Sequence, residues 1–554
     1  MTASVTTPAP SELSTAATLP AEDLSELLAA GHQSRRALNP RLLILSLLPF
    51  WLVPAAHVIS NPDTASGFFH YELPYYVANG RAAFDRGDGV FYPNPYYPSD
   101  AAPSIYAHWV PWTFGLAVAK FGFDPGDLIL AATFFASIAF AYATNSLVQV
   151  RTQTAEEGSR GYLLAMLGGG LLVLAGGFIT MLRSGEWADV LMFDPGRGLW
   201  FLNWGRNALF PTEAIYHSLV AGCWLMEIKR RHRWSNTFLV LLATTHPWSG
   251  IELLCTMNLW RLLDFAIRRS RTARTQLSIS VVVMIAFLAY YKVWLPSFPS
   301  HAQLQRVWEL NWSLNGLSAL LAYGPLVLPA AVAVRRAIIR DGLNAAEQFL
   351  CCALLVAVGL AFHDRLIRPV QPLHFTRGYV WMPLFLLGLP VTLEWIRNIG
   401  QRRGPAVVSV VVLLAAVDNF GFAAVHVHEQ WTAADGFHLD GDERVLLAEI
   451  DDVVPNAVVL SESDALNYLF PTYAHVRPWL GHRFNTPDYN RRLEQKQAVF
   501  ADGTINLDRV PDDVDVLVLR SSRNAQPLIA SNAWNAIDCR NAGWRLWRRV
   551  IATP

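Results

Sequence analysis

Residues 61–104 read NPDTASGFFHYELPYYVANGRAAFDRGDGVFYPNPYYPSDAAPS. The segment is too polar to lie in lipid, yet eight of its residues before Pro93 are tyrosine or phenylalanine. It carries two early carboxylates, Asp63 and Glu72, and it follows the apolar block 42–59. We expect such a loop, set between two membrane segments, to form a reaction site at a membrane surface.

The composition is that of a membrane protein. Of the 554 residues, 53% are hydrophobic and 16% are charged, whereas soluble domains carry about 25% charged residues. The apolar residues cluster in blocks of about 20, the length that crosses a bilayer core. Basic and acidic residues are equal in number, 44 each, so charge gives no indication of a nucleic-acid partner. The five cysteines show no metal-ligand spacing and predict no disulfide framework.

Twelve apolar blocks predict a polytopic α-helical membrane protein with about 11–13 transmembrane helices. The predicted blocks are 42–59, 105–122, 127–149, 161–182, 207–227, 235–246, 250–266, 276–295, 312–335, 346–362, 376–397 and 405–426.

Basic clusters between the blocks predict the orientation, because lysine and arginine favour cytoplasmic loops. Arginines before the first block place the N-terminus inside, so loop 61–104 and everything after 427 fall outside. That topology requires an odd number of crossings, although twelve blocks are present. Either one crossing is hidden or one block between 105 and 182 does not cross fully, and 127–149 and the glycine-rich 161–182 are the candidates.

Three parts follow from this pattern. Residues 1–38 are rich in Ala, Ser, Thr and Pro and are predicted to be a disordered cytoplasmic tail. Residues 39–427 form the transmembrane module. Residues 428–554 alternate helix-like with strand-like runs, such as VDVLVLR, and predict an α/β domain outside the membrane.

Glu72 begins a predicted amphipathic helix, with Tyr75 and Tyr76, both candidate substrate-binding residues, on the same face. A partly desolvated carboxylate gains basicity and can act as a general base. Glu72 can equally be a helix-start charge favoured by the macrodipole. Asp63, the other candidate base, lies in an Asn-Pro-Asp sequence typical of turns.

A second candidate site lies in loop 183–206, where charged residues alternate with three tryptophans. The guanidinium group of arginine binds two phosphate oxygens at once, and the faces of tryptophan rings stack on sugars. The alternative is a loop at the membrane interface whose charged residues pair with one another. Glu213 and His217 follow on one helix face, and a metal there would need a third ligand. The candidate binding residues of the loop are Arg183, Glu186, Asp189, Arg197 and Arg206, beside Asp194.

The third candidate site is the stretch HDRLIRPVQPLHFTR at 363–377. Arginines are usually concentrated on the cytoplasmic side, so this many in a loop outside the membrane are unusual. They favour a binding site for a phosphate-bearing lipid headgroup. The outer turn of the helical hairpin 235–266 adds one histidine to the same side. The candidate binding residues are Arg365, Arg368, His374, Arg377 and His246.

Two stretches resemble a known family. Residues 72–98, ELPYYVANGRAAFDRGDGVFYPNPYYP, are similar to the first-loop pattern of the GT-C superfamily of membrane glycosyltransferases. Residues 479–500, WLGHRFNTPDYNRRLEQKQAVF, are similar to a segment in the outer tails of some bacterial GT-C-like proteins. The expected architecture is therefore GT-C-like, in a bacterial cytoplasmic (inner) membrane. A His-Tyr-Glu stands where an acidic pair is usual, which leaves the base open between Glu72 and Asp63.

The resemblance implies a glycosyltransferase that uses a polyprenyl-phosphate sugar donor and a glycan, lipid or protein acceptor. Glu72 would deprotonate the acceptor hydroxyl, and Arg365, Arg368 and Arg377 would stabilise the leaving phosphate. No cofactor is required, although some members of the family use a divalent metal. The alternatives are a transporter or flippase of a phosphate-bearing lipid, although no inverted repeat is visible, and a non-catalytic scaffold of envelope assembly.

Overall fold

The structure, a computed structural model, describes residues 38–99, 101–183, 185–308, 311–540 and 542–550. The predicted tail, apart from residue 38, lies outside these ranges. Every one of the twelve predicted apolar blocks contains helix. The helices are Pro40–Ser60, Leu73–Asp85, Trp109–Phe121, Pro125–Val148, Ala155–Leu167, Leu172–Arg183, Pro211–Ile228, His232–Ala243, Pro247–Arg268, Arg271–Leu288, Pro299–Trp308, Gly316–Arg340, Ala345–Ala361, Trp381–Arg403, Pro405–Trp431, Gly441–Val453, Asp464–Tyr473, Tyr489–Val499 and Gln526–Ser531.

The protein is a multi-pass membrane protein. Within the described ranges, five helical segments are long and apolar enough to cross a bilayer: Pro40–Ser60, Pro125–Arg151, Arg271–Ser297, Gly316–Arg340 and Pro405–Trp431. Their large apolar side chains are exposed, as contact with lipid requires, at Ile44, Phe135, Ile285 and Leu328. Whether the shorter and more charged helices also cross stays a prediction.

One predicted block is broken. Block 161–182 forms two helices, Ala155–Leu167 and Leu172–Arg183, which meet at a bend of 49°. Asp418 holds the bend, because its carboxylate accepts the N–H of Gly170 at 2.9 Å and that of Val173 at 2.7 Å. Helix starts leave such N–H groups without intrahelical partners. Of the two blocks expected to disturb the count, 161–182 is therefore the irregular one.

Replacing Asp418 by alanine is expected to destabilise the protein by about 1–3 kcal/mol, the cost of leaving buried donors unsatisfied. Asp418 is fully buried, and its carboxylate lies 3.8 Å from the buried guanidinium of Arg206. The substitution leaves the N–H groups of Gly170 and Val173 without their acceptor, whereas Arg206 keeps its ion pair with Asp194. Unfolding of the purified protein in detergent measures the effect, with Asp418→Asn as the milder, size-matched control. An unchanged midpoint for the alanine variant would contradict this role.

The C-terminal part is the predicted α/β domain. Its five strands are β1 (Val458–Ser461), β2 (Arg477–Pro478), β3 (Val516–Arg520), β4 (Trp534–Ile537) and β5 (Trp544–Arg549). They lie in the order β2-β1-β3-β5-β4, with β1 parallel to both β2 and β3, and with β5 antiparallel to both β3 and β4. The preceding helix runs past the predicted boundary at 427 and ends at Trp431.

The first loop and the C-terminal domain interlock through side-chain-to-backbone hydrogen bonds. The amide of Asn94 donates to the carbonyl of Asn485 at 2.6 Å, and the hydroxyl of Tyr468 donates to the carbonyl of Tyr71 at 2.7 Å. Trp308 likewise donates to the carbonyl of Phe484 at 2.8 Å. Segments that the sequence predicts on one side of the membrane therefore meet, which is the architecture that the GT-C resemblance implies.

Candidate active site

Glu72 stands at the start of helix Leu73–Asp85, as predicted, but it does not cap that helix. Its side chain accepts no hydrogen bond from the first helical turn, and about a third of it, 33%, is exposed. Its backbone N–H donates to Nδ1 of His70 at 3.2 Å. The carboxylate is therefore not used in helix formation and remains available to other partners.

His482 of the C-terminal domain approaches this carboxylate, with 3.6 Å between its Nε2 and Oε2 of Glu72. The other ring nitrogen, Nδ1, lies 3.1 Å from the N–H of Phe484 and 2.9 Å from the amide nitrogen of Asn485. Because both of those groups are donors, Nδ1 accepts and Nε2 carries the hydrogen. The nitrogen of His482 that carries the hydrogen is therefore the one nearest Glu72, at a distance beyond a direct hydrogen bond.

Four tyrosines hold the ring of His482 in this orientation. They come from the first loop and the C-terminal domain, and the ring itself is almost fully buried. The ring centroids lie 5.4 Å from Tyr71, 4.9 Å from Tyr75, 5.6 Å from Tyr96 and 5.4 Å from Tyr468. Tyr75, predicted to bind substrate, thus also supports His482. The segment 479–500 was singled out from the sequence by resemblance, but nothing in its spacing indicates that its histidine faces Glu72.

The surroundings of Glu72 set its protonation. Burial alone would raise the pKa of its carboxyl, but the polar contact with His482 and the charges of His70 and Arg377 hold the pKa below its ordinary 4.5. This direction is opposite to the upward shift expected from the sequence, because these polar partners outweigh the burial. Glu72 is therefore ionised at neutral pH and able to accept a proton.

Replacing His482 by alanine is expected to move the acid limb of the pH–rate profile to higher pH. A base works only while ionised, so activity falls as the pH drops through its pKa, which lies below 4.5 in the intact protein. Removing His482 removes one of the contacts that lower this pKa, so burial raises the pKa of Glu72. The profile of kcat/KM against pH measures the shift. A variant that is slower at every pH but has an unmoved limb would assign His482 a purely structural role.

Arg377 is the predicted arginine whose surroundings connect to Glu72. Trp312 packs on His374, three residues before Arg377, and on Phe484, which contacts His482. Arg377 lies just before helix Trp381–Arg403 and forms a short ion pair with Glu213. Its positive charge acts on both Glu72 and Tyr76. Among the described residues, no acceptor bonds its buried Nε–H. A guanidinium with an unused donor beside a carboxylate is suited to an anionic ligand.

Glu213 and His217 position Arg377 and do not form a metal site. Each ring nitrogen of His217 lies within hydrogen-bonding distance of a backbone carbonyl oxygen, that of Glu213 at 2.7 Å and that of Arg377 at 2.6 Å. The ring therefore presents no lone pair to a metal, and the carboxylate of Glu213 is occupied by Arg377. The structure instead anchors both the backbone and the side chain of Arg377 to this helix.

His374 lies in a group of three tryptophans next to Arg377. Its ring stacks on Trp248 at 4.7 Å and on Trp312 at 5.8 Å, and it meets Trp200 edge-on at 4.7 Å. The guanidinium of Arg377 lies 6.0 Å from the ring centroid of Trp200. Flat aromatic faces beside a cation suit a sugar or an isoprenoid phosphate.

Two predicted binding residues have internal roles. Arg206 is fully buried, forms a short ion pair with Asp194 and donates to Asn419 at 2.8 Å. Its guanidinium therefore stabilises the helix bundle and is closed to a ligand. His246 caps helix Pro247–Arg268 by accepting the N–H of Ser249 at 3.2 Å, and it is buried.

The remaining predicted residues lie on exposed positions outside the Glu72 group. Arg197 is 64% exposed and pairs with Glu429 at 2.7 Å. From the predicted set, the structure thus brings together Glu72, Tyr75, Tyr76, His374 and Arg377. The other predicted residues at exposed positions are Asp63, Arg183, Glu186, Asp189, Arg365 and Arg368.

Comparison with known proteins gives likenesses among solved structures alone. No family model and no curated protein matches the chain. A solved structure that it resembles is the crystal structure of ArnT from Cupriavidus metallidurans in the apo state. The match covers 92% of this chain and 97% of that chain, at 11% sequence identity and a TM-score of 0.43. The function is therefore inferred from the residues of the site.

Proposed function

We propose that this protein is a membrane glycosyltransferase of the GT-C type, which moves a sugar from a polyprenyl-phosphate donor to a hydroxyl acceptor at the outer face of a bacterial cytoplasmic membrane. One observation carries the proposal. Glu72, whose carboxylate caps no helix, and Arg377, whose guanidinium keeps an unused donor, are joined through packed residues. His70 accepts the N–H of Glu72 and packs at 4.6 Å on Phe210, directly before the helix whose Glu213 pairs with Arg377. The resemblance of residues 72–98 to a GT-C first loop supports the same activity.

In the proposed reaction, Glu72 takes the proton of the acceptor hydroxyl. The acceptor oxygen attacks the anomeric carbon of the donor sugar, and the bond from that carbon to the phosphate oxygen breaks. The bonding electrons leave with polyprenyl phosphate, so negative charge grows on the phosphate as the bond opens. Arg377 stabilises that charge, and a fixed cation in a site shielded from water does so more effectively than one in water.

The residues around Glu72 and Arg377 support the same reaction. Glu213 and His217 fix Arg377 so that it does not have to reorganise during the reaction. His482 faces the carboxylate of Glu72 from the side of the C-terminal domain, at 3.6 Å. Trp248 and Trp312, which flank His374, offer apolar faces for the sugar or the first isoprene units.

A transfer assay tests the proposal. Purified protein in nanodiscs is given a panel of radiolabelled polyprenyl-phosphate hexoses and pentoses, together with glycan, lipid and peptide acceptors. Transfer of label from at least one donor to an acceptor is the expected result. A flippase would instead move intact donor between leaflets of a vesicle without cleaving it. Donor movement without label transfer would therefore overturn the proposal.

A further inference from the structure

We propose that His426, Glu429 and Asp435 bind a divalent metal ion at the end of the last long helix. His426 and Glu429 lie one turn apart on one face of helix Pro405–Trp431. The chain then turns back, so that Asp435 joins them. One imidazole nitrogen and two carboxylate oxygens lie within 4.8 Å of one another, and the described residues contain no other such group of three.

The hydrogen bonds of His426 argue for a cation. Its Nε2 lies 3.1 Å from the carbonyl oxygen of Arg197, which can only accept. With Nε2 donating there, the lone pair of Nδ1 faces Oε2 of Glu429 at 2.9 Å. A proton on Nδ1 or a metal ion bound by both atoms accounts for this contact, and a metal-binding measurement distinguishes the two. A metal-binding histidine typically donates its second N–H to a carbonyl or carboxylate in this way.

Space for an occupant is present. A cavity of about 20 Å³ is lined by His426, Asp435 and His70 together with mostly apolar residues, and Glu429 lies outside this lining. That volume holds about one water-sized occupant. The guanidinium of Arg197 pairs with Oε1 of Glu429 in the structure but is largely exposed, so it can swing away and leave the carboxylate to a metal.

His70 connects this cluster to Glu72 without being a ligand. Its Nδ1 accepts the N–H of Glu72, and its ring lines the same cavity as His426 and Asp435. A ligand set of one nitrogen and two carboxylate oxygens suits Zn²⁺ or Mn²⁺. The test therefore uses each of these two ions separately.

The full-length protein in detergent is stripped with a chelator, incubated with ZnCl₂ or MnCl₂, passed over a desalting column and analysed for metal. The expected result is one bound ion per chain for one of the two metals. His426→Ala and Asp435→Asn are each expected to weaken binding by at least about 10-fold. His428→Ala is the matched control, because His428 lies on the same helix but packs against Trp187.

Arg197→Ala provides the second variant. If the guanidinium competes with the metal for Glu429, its removal should strengthen binding, by up to about 5-fold. Less than a tenth of an equivalent of either metal, or binding that His426→Ala leaves unchanged, would overturn the proposal. No sugar donor is present in the measurement, so its outcome is independent of the transfer assay.

Discussion

Replacing Glu72 by glutamine is expected to lower kcat for sugar transfer by roughly 10²–10⁴-fold, the contribution typical of a general base. Glutamine keeps the size of the side chain but cannot take the acceptor proton. Because the carboxylate caps no helix, the fold should be preserved and the KM for the donor should change little. Initial rates with a labelled polyprenyl-phosphate sugar measure the effect, and the melting temperature confirms folding.

Asp63→Asn is the matched control, since the first-loop sequence offers both carboxylates as the base. Asp63 lies on an exposed turn that begins at Asn61, so the variant should transfer sugar at close to the wild-type rate. Full activity of Glu72→Gln would remove Glu72 from the mechanism. Loss of activity in Asp63→Asn alone would instead make Asp63 the base.

The fold was predictable where hydrophobic length and periodicity decide it. Twelve apolar blocks gave twelve helical regions, and the alternation after residue 430 gave strands and helices of an α/β domain. The break in block 161–182 was only partly predictable. Its glycines indicated irregularity, but the carboxylate that holds the bend comes from Asp418, 245 residues after Val173 in the chain. A sequence pattern cannot indicate such a partner.

The sequence predicted which kinds of residues form the candidate site. It did not predict how they are arranged in space. The stretch 363–377 contains three arginines that look alike in sequence. Only burial and the ion pair with Glu213 single out Arg377, whereas Arg365 and Arg368 remain on the surface. His482 was missed because its contact with Glu72 joins distant parts of the chain. Arg206 was overestimated, since its buried partners Asp194 and Asn419 also come from separate segments.

Replacing Arg377 by glutamine is expected to lower kcat by roughly 10²–10³-fold, the loss typical when one group that stabilises a developing anion is removed. The single variant also leaves Glu213 as a buried, unpaired carboxylate. Breaking such a pair costs about 3–5 kcal/mol of stability, so reduced activity alone would be ambiguous. The double variant Arg377→Gln with Glu213→Gln removes both charges together. It is expected to recover most of the stability and none of the activity.

Arg365→Gln and Arg368→Gln complete the comparison, because they remove the same charge from the same stretch of sequence at exposed positions. Exposed charges act through a solvent of high dielectric constant and are screened by salt. Each of these two variants should therefore raise the donor KM modestly at low ionic strength and leave kcat unchanged. If the double variant retained kcat while Arg365→Gln lost it, the phosphate would lie on the exposed turn, and the site would have to be moved away from Glu72. If the double variant folds normally but still transfers no sugar, the charge of Arg377 is needed for the reacting phosphate. Its role is then more than pairing with Glu213.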